Sequence, residues 1–291
     1  MGSANVIPGV SGGTIAFITG IFERLINAIK AVNLTAIKLL FNGKWNAFAC
    51  HIDLKFLLAV FSGVAISIIT IAQLFKYLFA EYPIYIWSFF FGLILASIYF
   101  VGRTIKQWNY TVTISLLLGV TVAVFIAFTK PANENDDFVY LLLCGVIAAC
   151  SMILPGLSGS FVLILLGNYE LVMIQAVTEG NMLVLLPIAI GAGVGLIAFS
   201  YVLSWIFKRF PDNTISLLTG FIIGSVVIIY PWKNEVISFL GNKRTVIGYD
   251  WYLPNFDSSL LIAIACMLLG AGLLIAVEFY AKLKAKKSTE E

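Results

Sequence analysis

The chain has 291 residues, of which 60% are hydrophobic and 11% are charged, and its formal net charge is +3. No soluble domain needs that much apolar sequence, so the composition excludes a soluble protein and indicates one that crosses a membrane several times. The basic residues lie near the ends of apolar runs and form no continuous basic face, which gives no support to a nucleic-acid partner.

Eight apolar runs follow one another along the chain. The first, Met1–Phe22, and the fifth, Phe138–Tyr169, each contain a helix-breaking motif. The other six have 19 or more residues, enough to cross a hydrocarbon core of about 30 Å at roughly 1.5 Å per residue. We expect a helix over Thr14–Ala31 and a polar loop over Lys233–Asp257. The six predicted spans are Phe56–Phe75, Ile84–Gly102, Gln107–Thr129, Gly180–Phe207, Asn213–Trp232 and Ser258–Val277.

A Pro-Gly-x-Ser-Gly motif occurs twice, at Pro8–Gly13 (the first motif) and Pro155–Ser160 (the second motif), 147 positions apart. Proline, glycine and serine in this arrangement break a helix. In lipid such a break survives only where protein or a watered cavity satisfies the freed backbone groups. Equivalent breaks in two halves of a chain indicate the binding site of a transporter.

Further matches predict two repeats, residues 1–130 and 131–291, within one membrane domain. Gly63 and Gly191 match at an offset of 128, as do Pro83 and Pro211, and the polar stretch Lys130–Asp137 separates the halves. We expect each repeat to contain a re-entrant helical hairpin followed by three transmembrane helices, in an all-α fold. The alternative to each hairpin is a pair of tilted full spans.

The arms of the second hairpin, before and after its motif, have 16 and 18 residues, which is short for full spans. The matching arm before the first motif has only Met1–Ile7. The repeat therefore predicts a further helix there, and an N-terminal boundary that is short.

The distribution of positive charge predicts the orientation. With the C-terminal lysines in the cytoplasm, 13 of the 18 Lys and Arg residues fall inside and five fall outside. Three spans are an odd number, so the second motif enters from the face opposite to the first. The repeats are therefore predicted to be inverted.

Two hairpins that enter from opposite faces bring their motifs together near the midplane. The helix after each motif points its N-terminus inward, and its amides and serine hydroxyls suit an oxyanion without a buried lysine or arginine. The alternative is that the small residues only permit close helix packing. The candidate binding residues are Gly9, Ser11, Gly12, Gly13 and Thr14 in the first copy and Gly156, Ser158, Gly159 and Ser160 in the second.

Two acids, Glu23 and Glu170, occupy matching positions beyond the motifs, and we include them with Arg24 in the candidate site. Glu23 neighbours Arg24, which is also typical of a solvated pair at a helix end. Glu170 has no adjacent basic residue and is the better candidate for a proton-linked or gating function. Coupling to protons or sodium stays open.

Catalytic groups are missing from the sequence. It contains no carboxylate dyad, Ser-His-Asp set, metal-ligand cluster or Walker loop, so we predict neither an enzyme nor a cofactor or metal. The four cysteines form no CxxC pair and are interpreted as small hydrophobic residues.

The motifs carry a resemblance. Asn-Val-Ile-Pro-Gly-Val-Ser-Gly-Gly-Thr at 5–14, with Gly-Ile-Phe-Glu-Arg-Leu at 20–25, resembles the signature of the PopT family of bacterial polyprenyl-phosphate translocases. Leu-Pro-Gly-Leu-Ser-Gly-Ser at 154–160, with Gly167 and Tyr169-Glu170, is similar to that family's second signature. Family members usually carry a hydrophobic helix before the first motif. This sequence has only Met1–Ile7 there and so departs from the family's pattern.

The resemblance covers essentially the whole chain and implies a substrate. This is undecaprenyl phosphate, the lipid carrier of cell-wall sugars, returned from the outer to the inner leaflet of the bacterial cytoplasmic membrane. The residues alone leave two alternatives: a carrier or channel for a small soluble oxyanion, and, less favoured, a membrane enzyme that processes lipid phosphates.

The predicted orientation can be tested by cysteine labelling. Cysteines introduced in Lys208–Asp212 and in the C-terminal tail should react with an impermeant reagent only from the cytoplasmic side, because both fall on the basic face. Those introduced in Asn133–Asp137 should react only from outside. Reaction of both sets from one side would contradict the inverted repeat.

Overall fold

The structure is a computed structural model that describes residues 12–129, 132–176, 179–240 and 243–290. The first half contains the helices α1 (Gly12–Ile18), α2 (Phe22–Lys30), α3 (Leu34–Phe41), α4 (Trp45–His51), α5 (Leu54–Glu81), α6 (Pro83–Gly102) and α7 (Tyr110–Phe128). The second half contains α8 (Phe138–Ile153), α9 (Gly159–Leu165), a π-helix (Glu170–Ala176), α10 (Met182–Arg209), α11 (Pro211–Ile229), strands β1 (Lys233–Leu240) and β2 (Lys243–Trp251), and α12 (Ser258–Glu290).

Each of the six predicted spans is helical, as α5, α6, α7, α10, α11 and α12. Five helices of the described chain are long and apolar enough to cross a membrane, and a sixth span is added if α4 and α5, bent by 66° where they meet, count as one. Their outer surfaces carry exposed apolar side chains such as Leu117 and Leu268. The prediction of a helical multi-pass membrane protein is confirmed.

Proline places two of the helix starts. Pro83 and Pro211 begin α6 and α11, where the missing amide costs nothing because the first turn leaves that donor unpaired anyway. The residue before each, Tyr82 and Phe210, is non-helical and is the only residue between two helices. The preceding helices, α5 and α10, both have 28 residues. The two halves therefore share the length of the first span and a similar backbone conformation at the residue that joins it to the second.

The expected polar loop over Lys233–Asp257 is wrong in its first part, which folds as an antiparallel β-hairpin of β1 and β2. The Lys233 ammonium donates to the carbonyl of Ile228 at the end of α11 and lies over the rings of Trp87 (3.9 Å) and Tyr249 (4.5 Å). The Trp251 indole N–H donates to the Val227 carbonyl at 3.1 Å. These contacts use backbone acceptors that the helix end leaves over, and so hold the hairpin against the spans.

The second span of each half packs against the third span of the other half. The contacting pairs are α6 with α12 and α7 with α11. In the first pair, a Cβ added at Gly92 would strike the Met267 carbonyl; in the second, a Cβ added at Gly220, its match at an offset of 128, would strike the Leu116 carbonyl. Small residues allow helix backbones to approach this closely in membranes. The halves are therefore interlocked, and the boundary near residue 130 stays a prediction.

The helices α5 and α10 differ in what covers them. On α10, Gly191 and Gly195 pack against the backbone of α8, with the Val146 carbonyl 2.7 Å from a Cβ added at Gly195. The match of Gly191 on α5 is Gly63, and an added Cβ there would meet no described atom within 4 Å. The helix that the repeat predicts before the first motif would correspond to α8, and that prediction falls outside the described residues.

Two glycines on α12 test the interlocked packing. A Cβ at Gly270 would strike the Phe89 carbonyl, whereas one at Gly272 would meet no described atom within 4 Å. We expect Gly270→Ala to lower the free energy of unfolding by about 1–3 kcal/mol through overpacking. Gly272→Ala, the matched control, should be neutral or slightly stabilising because alanine favours helix. Thermal unfolding in detergent measures both, and equal stabilities would contradict this packing.

Candidate functional site

The second motif lies at the tip of a helical hairpin formed by α8 and α9. The Asp137 side chain caps the start of α8 by accepting from the amides of Val139 and Tyr140. At the same end of the hairpin, the Tyr140 hydroxyl in the first turn of α8 donates to the Leu166 carbonyl, just past the end of α9, at 2.8 Å. The chain therefore returns beside its own starting point, as both a re-entrant hairpin and a pair of tilted full spans would.

Asn168 fixes the base of this hairpin. Its side chain is fully buried, donates to the Asn135 carbonyl at 2.6 Å and accepts from the Asn135 amide at 2.9 Å. The Ala132 amide donates to the Leu165 carbonyl at 2.7 Å. Polar backbone groups around the base are thus paired, which an apolar surrounding requires.

The first copy repeats the end of α9 bond for bond. Gly12–Ile18 and Gly159–Leu165 are both seven-residue helices, 147 positions apart. Each ends in a Schellman turn, with Ile21 N–H bonded to Ala16 O (3.0 Å) in one and Asn168 N–H bonded to Leu163 O (3.0 Å) in the other.

A glycine in the left-handed region makes each turn possible, with φ +71° at Gly20 and +75° at Gly167. The prediction of one helix over Thr14–Ala31 is therefore wrong, because the chain breaks after Ile18. The expected 18-residue arm after the second motif is wrong for the same reason, since α9 ends at Leu165. The matched glycines, Gly20 and Gly167, are the sequence feature that indicates these breaks.

The second motif is inserted between α8 and α11. Gly156, Ser158 and Gly159 are buried and Ser160 is half-buried. A Cβ added at Gly156 would lie 2.6 Å from the Phe221 carbonyl of α11, and one at Gly159 would lie 2.8 Å from the Ala148 carbonyl of α8. The hydroxyls of Ser158 and Ser160 are 2.7 Å apart and share a hydrogen bond. Neutral hydroxyl groups are thus held at a packed tip.

Part of the first motif lies beside α8, the helix that leads into the second motif. Gly12 and Gly13 are buried at the start of α1, which contacts α6 and α8, and Ala16 shares an apolar cluster with Leu157 of the second motif. Gly9 and Ser11 lie outside the described residues. Thr14 belongs to α1, and its side chain lies outside the description as well.

An apolar cavity of about 320 Å³ adjoins the first motif and the end of α8, just before the second motif. Gly12 and Gly13 line it, together with Met152 and Ile153 from the end of α8. Val64 of α5 is on its wall, and Met152 is half exposed. Among the described residues no charged side chain lines this cavity. The cavity suits a hydrocarbon chain rather than a hydrated ion.

The predicted charged residues lie beyond the turns, away from the motif tips. Glu23 and Arg24 are exposed at the start of α2, and half-buried Glu170 begins the π-helix. A seven-residue helix, about 10 Å long, separates each acid from its motif. The structure therefore does not place these charges with the hydroxyls and glycines. Arg24 instead pairs with Asp53, 29 residues further on, a partner with no local sequence signal.

These features define a class of protein. It is a helical membrane protein with a duplicated broken-helix element, interlocked halves and a cavity beside the first motif, which is the organisation of a secondary transporter.

Comparison with known proteins gives the family. The model of the undecaprenyl phosphate translocase-like family matches residues 1–246, and the chain belongs to this family. It is 38% identical over 297 residues to a polyprenyl-phosphate transporter of Vibrio cholerae, covering 97% of this chain and 94% of that protein. It is 27% identical over 280 residues to a polyprenyl-phosphate transporter of Staphylococcus aureus, covering 86% and 90%. No solved structure matches. The protein is a transporter and not an enzyme.

Proposed function

We propose that the protein is a flippase for undecaprenyl phosphate, which it returns across the bacterial cytoplasmic membrane for reuse in building the cell envelope and its peptidoglycan. The observation that carries this proposal is the apolar cavity that Gly12 and Gly13 of the first motif help to line. Two relatives named polyprenyl-phosphate transporters support the substrate class.

The phosphate head is proposed to bind at the motif tips. Moving a phosphate out of water is costly, and groups that donate hydrogen bonds offset part of that cost. Neutral donors bind less tightly than a buried lysine would, so the head can also leave. The proposed contacts are Gly9, Ser11, Gly12, Gly13 and Thr14 from the first copy and Gly156, Ser158, Gly159 and Ser160 from the second.

The prenyl tail is proposed to occupy the apolar cavity with its first units and the bilayer with the rest. A cavity of about 320 Å³ holds only part of a C55 chain, so the remainder must leave sideways between helices. A small soluble oxyanion would need a polar path from water on both faces. The apolar lining therefore favours the lipid over the soluble anion.

The membrane arrangement belongs to the same proposal. The two halves, residues 1–130 and 131–291, are inverted repeats, and the C-terminus is cytoplasmic. The duplicated α1 and α9 turns, the equal lengths of α5 and α10, and the reciprocal packing of α6 and α11 support a two-fold relation between the halves. Inversion would let one site face each leaflet in turn.

The tail site can be tested by filling the cavity. We expect Val64→Trp to weaken binding of C55 phosphate at least tenfold, because the indole occupies volume that the tail needs. Leu117→Trp, at an exposed position on α7, is the control and should bind normally. The measurement is a thermal-shift or direct-binding series on purified protein with C55 phosphate, C55 alcohol and inorganic phosphate. If inorganic phosphate binds the wild-type protein as tightly as C55 phosphate does, soluble-anion transport should replace the proposed function.

The head site can be tested at the second motif. Ser158→Ala removes a buried hydroxyl and should cost about 0.5–1.5 kcal/mol of C55 phosphate binding, or more if the head is charged, while C55 alcohol binding changes less. Ser62→Ala, which removes an exposed hydroxyl bonded within α5, is the control. Gly159→Val is less clean, because its Cβ meets α8 backbone and tests packing as well. Unchanged phosphate affinity in Ser158→Ala would remove this hydroxyl from the site.

A further inference from the structure

A second pocket, polar and of about 520 Å³, lies on the other side of α2 from the apolar cavity. The helix turns Arg24 and Asn27 toward this polar pocket and Phe22, Leu25 and Ile26 toward the cavity. The residues that line the polar pocket are Gly20, Glu23, Arg24, Asn27, Ala28, His51 and Asp53. One short helix therefore separates a place for a polar group from a place for a hydrocarbon chain.

Arg24 is the cation of this polar pocket. Its Nε donates to Asp53 Oδ2 at 2.7 Å and its Nη2 to Asp53 Oδ1 at 3.1 Å, and its guanidinium lies 4.3 Å from the centre of the Phe56 ring. The pair engages two of the five guanidinium N–H groups. Both side chains are exposed to solvent, at 60% and 37%, and such pairs contribute little stability. A phosphate, which Arg binds well, can compete with Asp53 for it.

Asp53 stands at the bend between α4 and α5. Its φ of +51° is in the left-handed region, which few residues other than glycine, asparagine and aspartate adopt. The hydrogen bond from Arg24 lowers the pKa of the Asp53 carboxyl, so the carboxylate keeps its charge at neutral pH. The Asp53 carboxylate is thus held where it competes with a phosphate for the Arg24 guanidinium.

The second copy of the repeat lacks this polar pocket's chemistry. At the offset of 147 that relates the motifs, Arg24 corresponds to Leu171 and Asn27 to Ile174, whereas Glu23 corresponds to Glu170. The turn and the short helix before it are the same in both copies. Arg24 and Asn27 are therefore not needed to form the turn, and among the described residues the matching positions of the second copy do not repeat this charge and amide.

We propose that this polar pocket is a second station for the phosphate headgroup, at which Arg24 binds the phosphate monoester and Asp53 competes with it and speeds its release. The inference rests on the proposed function. Asp53 precedes α5 by one residue, and Val60 of the apolar cavity lies about 10 Å further along the same helix. A head at Arg24 can therefore leave the start of its tail against Phe56 and Val60. Glu23 opposes an anion there, which keeps binding weak.

The test is to remove the competitor while keeping the backbone. Asn tolerates the left-handed conformation, so Asp53→Asn should fold normally. We expect it to bind C55 phosphate about two- to fivefold more tightly than wild type and to release it correspondingly more slowly, since an exposed ion pair no longer opposes binding. Glu81→Gln, at the other end of α5, makes the same charge change and should bind like wild type.

A double variant and a second ligand complete the experiment. Adding Arg24→Gln to Asp53→Asn should abolish the gain, because the gain needs the guanidinium. Equal binding by Asp53→Asn and Glu81→Gln would overturn the proposal, as would a gain that survives Arg24→Gln. A gain for inorganic phosphate without one for C55 phosphate would make this a soluble-phosphate site and overturn the headgroup station. If wild type neither binds nor exchanges C55 phosphate, the proposed function itself fails, a result distinct from these.

Discussion

The structure depends on one constraint: a chain that breaks its helices inside apolar surroundings must still pair its backbone groups. The two Schellman turns at Gly20 and Gly167 pair the last carbonyls of α1 and α9 within the chain itself. In the second copy, Asn168 and the Tyr140 hydroxyl supply further partners at the hairpin base. Because these bonds pair the backbone at the base, the proposed headgroup site at the tip does not have to supply those partners.

The interlocked spans follow from the same duplication. Each half presents a second span whose glycine face fits the third span of the other half, so neither half completes its packing alone. This arrangement ties the spans of the two halves to one body. The halves still differ in two places. The chain after α1 continues as an α-helix and the chain after α9 as a π-helix. In addition, α8 covers Gly191 of α10, whereas a Cβ added at Gly63 of α5 would meet no described atom within 4 Å.

The sequence alone predicts the helices well and the contacts between distant residues poorly. Hydropathy and the two prolines give the spans, because length and the missing amide dominate there. The breaks after Ile18 and Leu165 are missed because apolar residues continue through them and the matched glycines are interpreted only as evidence of a repeat. Two contacts join residues that are far apart in the chain: Asn168 bonds to Asn135, 33 positions away, and Arg24 bonds to Asp53, 29 positions away. No local sequence pattern predicts such pairs.

The polar pocket at Arg24 makes the two halves unequal, and this inequality limits what the pocket can do in transport. A binding station at one end changes the rates at which a head arrives and leaves there, but it cannot set the direction of net transport, since it lowers the barrier for both directions alike. Direction must come from an unequal supply of the lipid in the two leaflets or from coupling to an ion. Asp53 acts within that limit: by weakening the hold of Arg24 on an anion, it keeps a favourable station from becoming a trap.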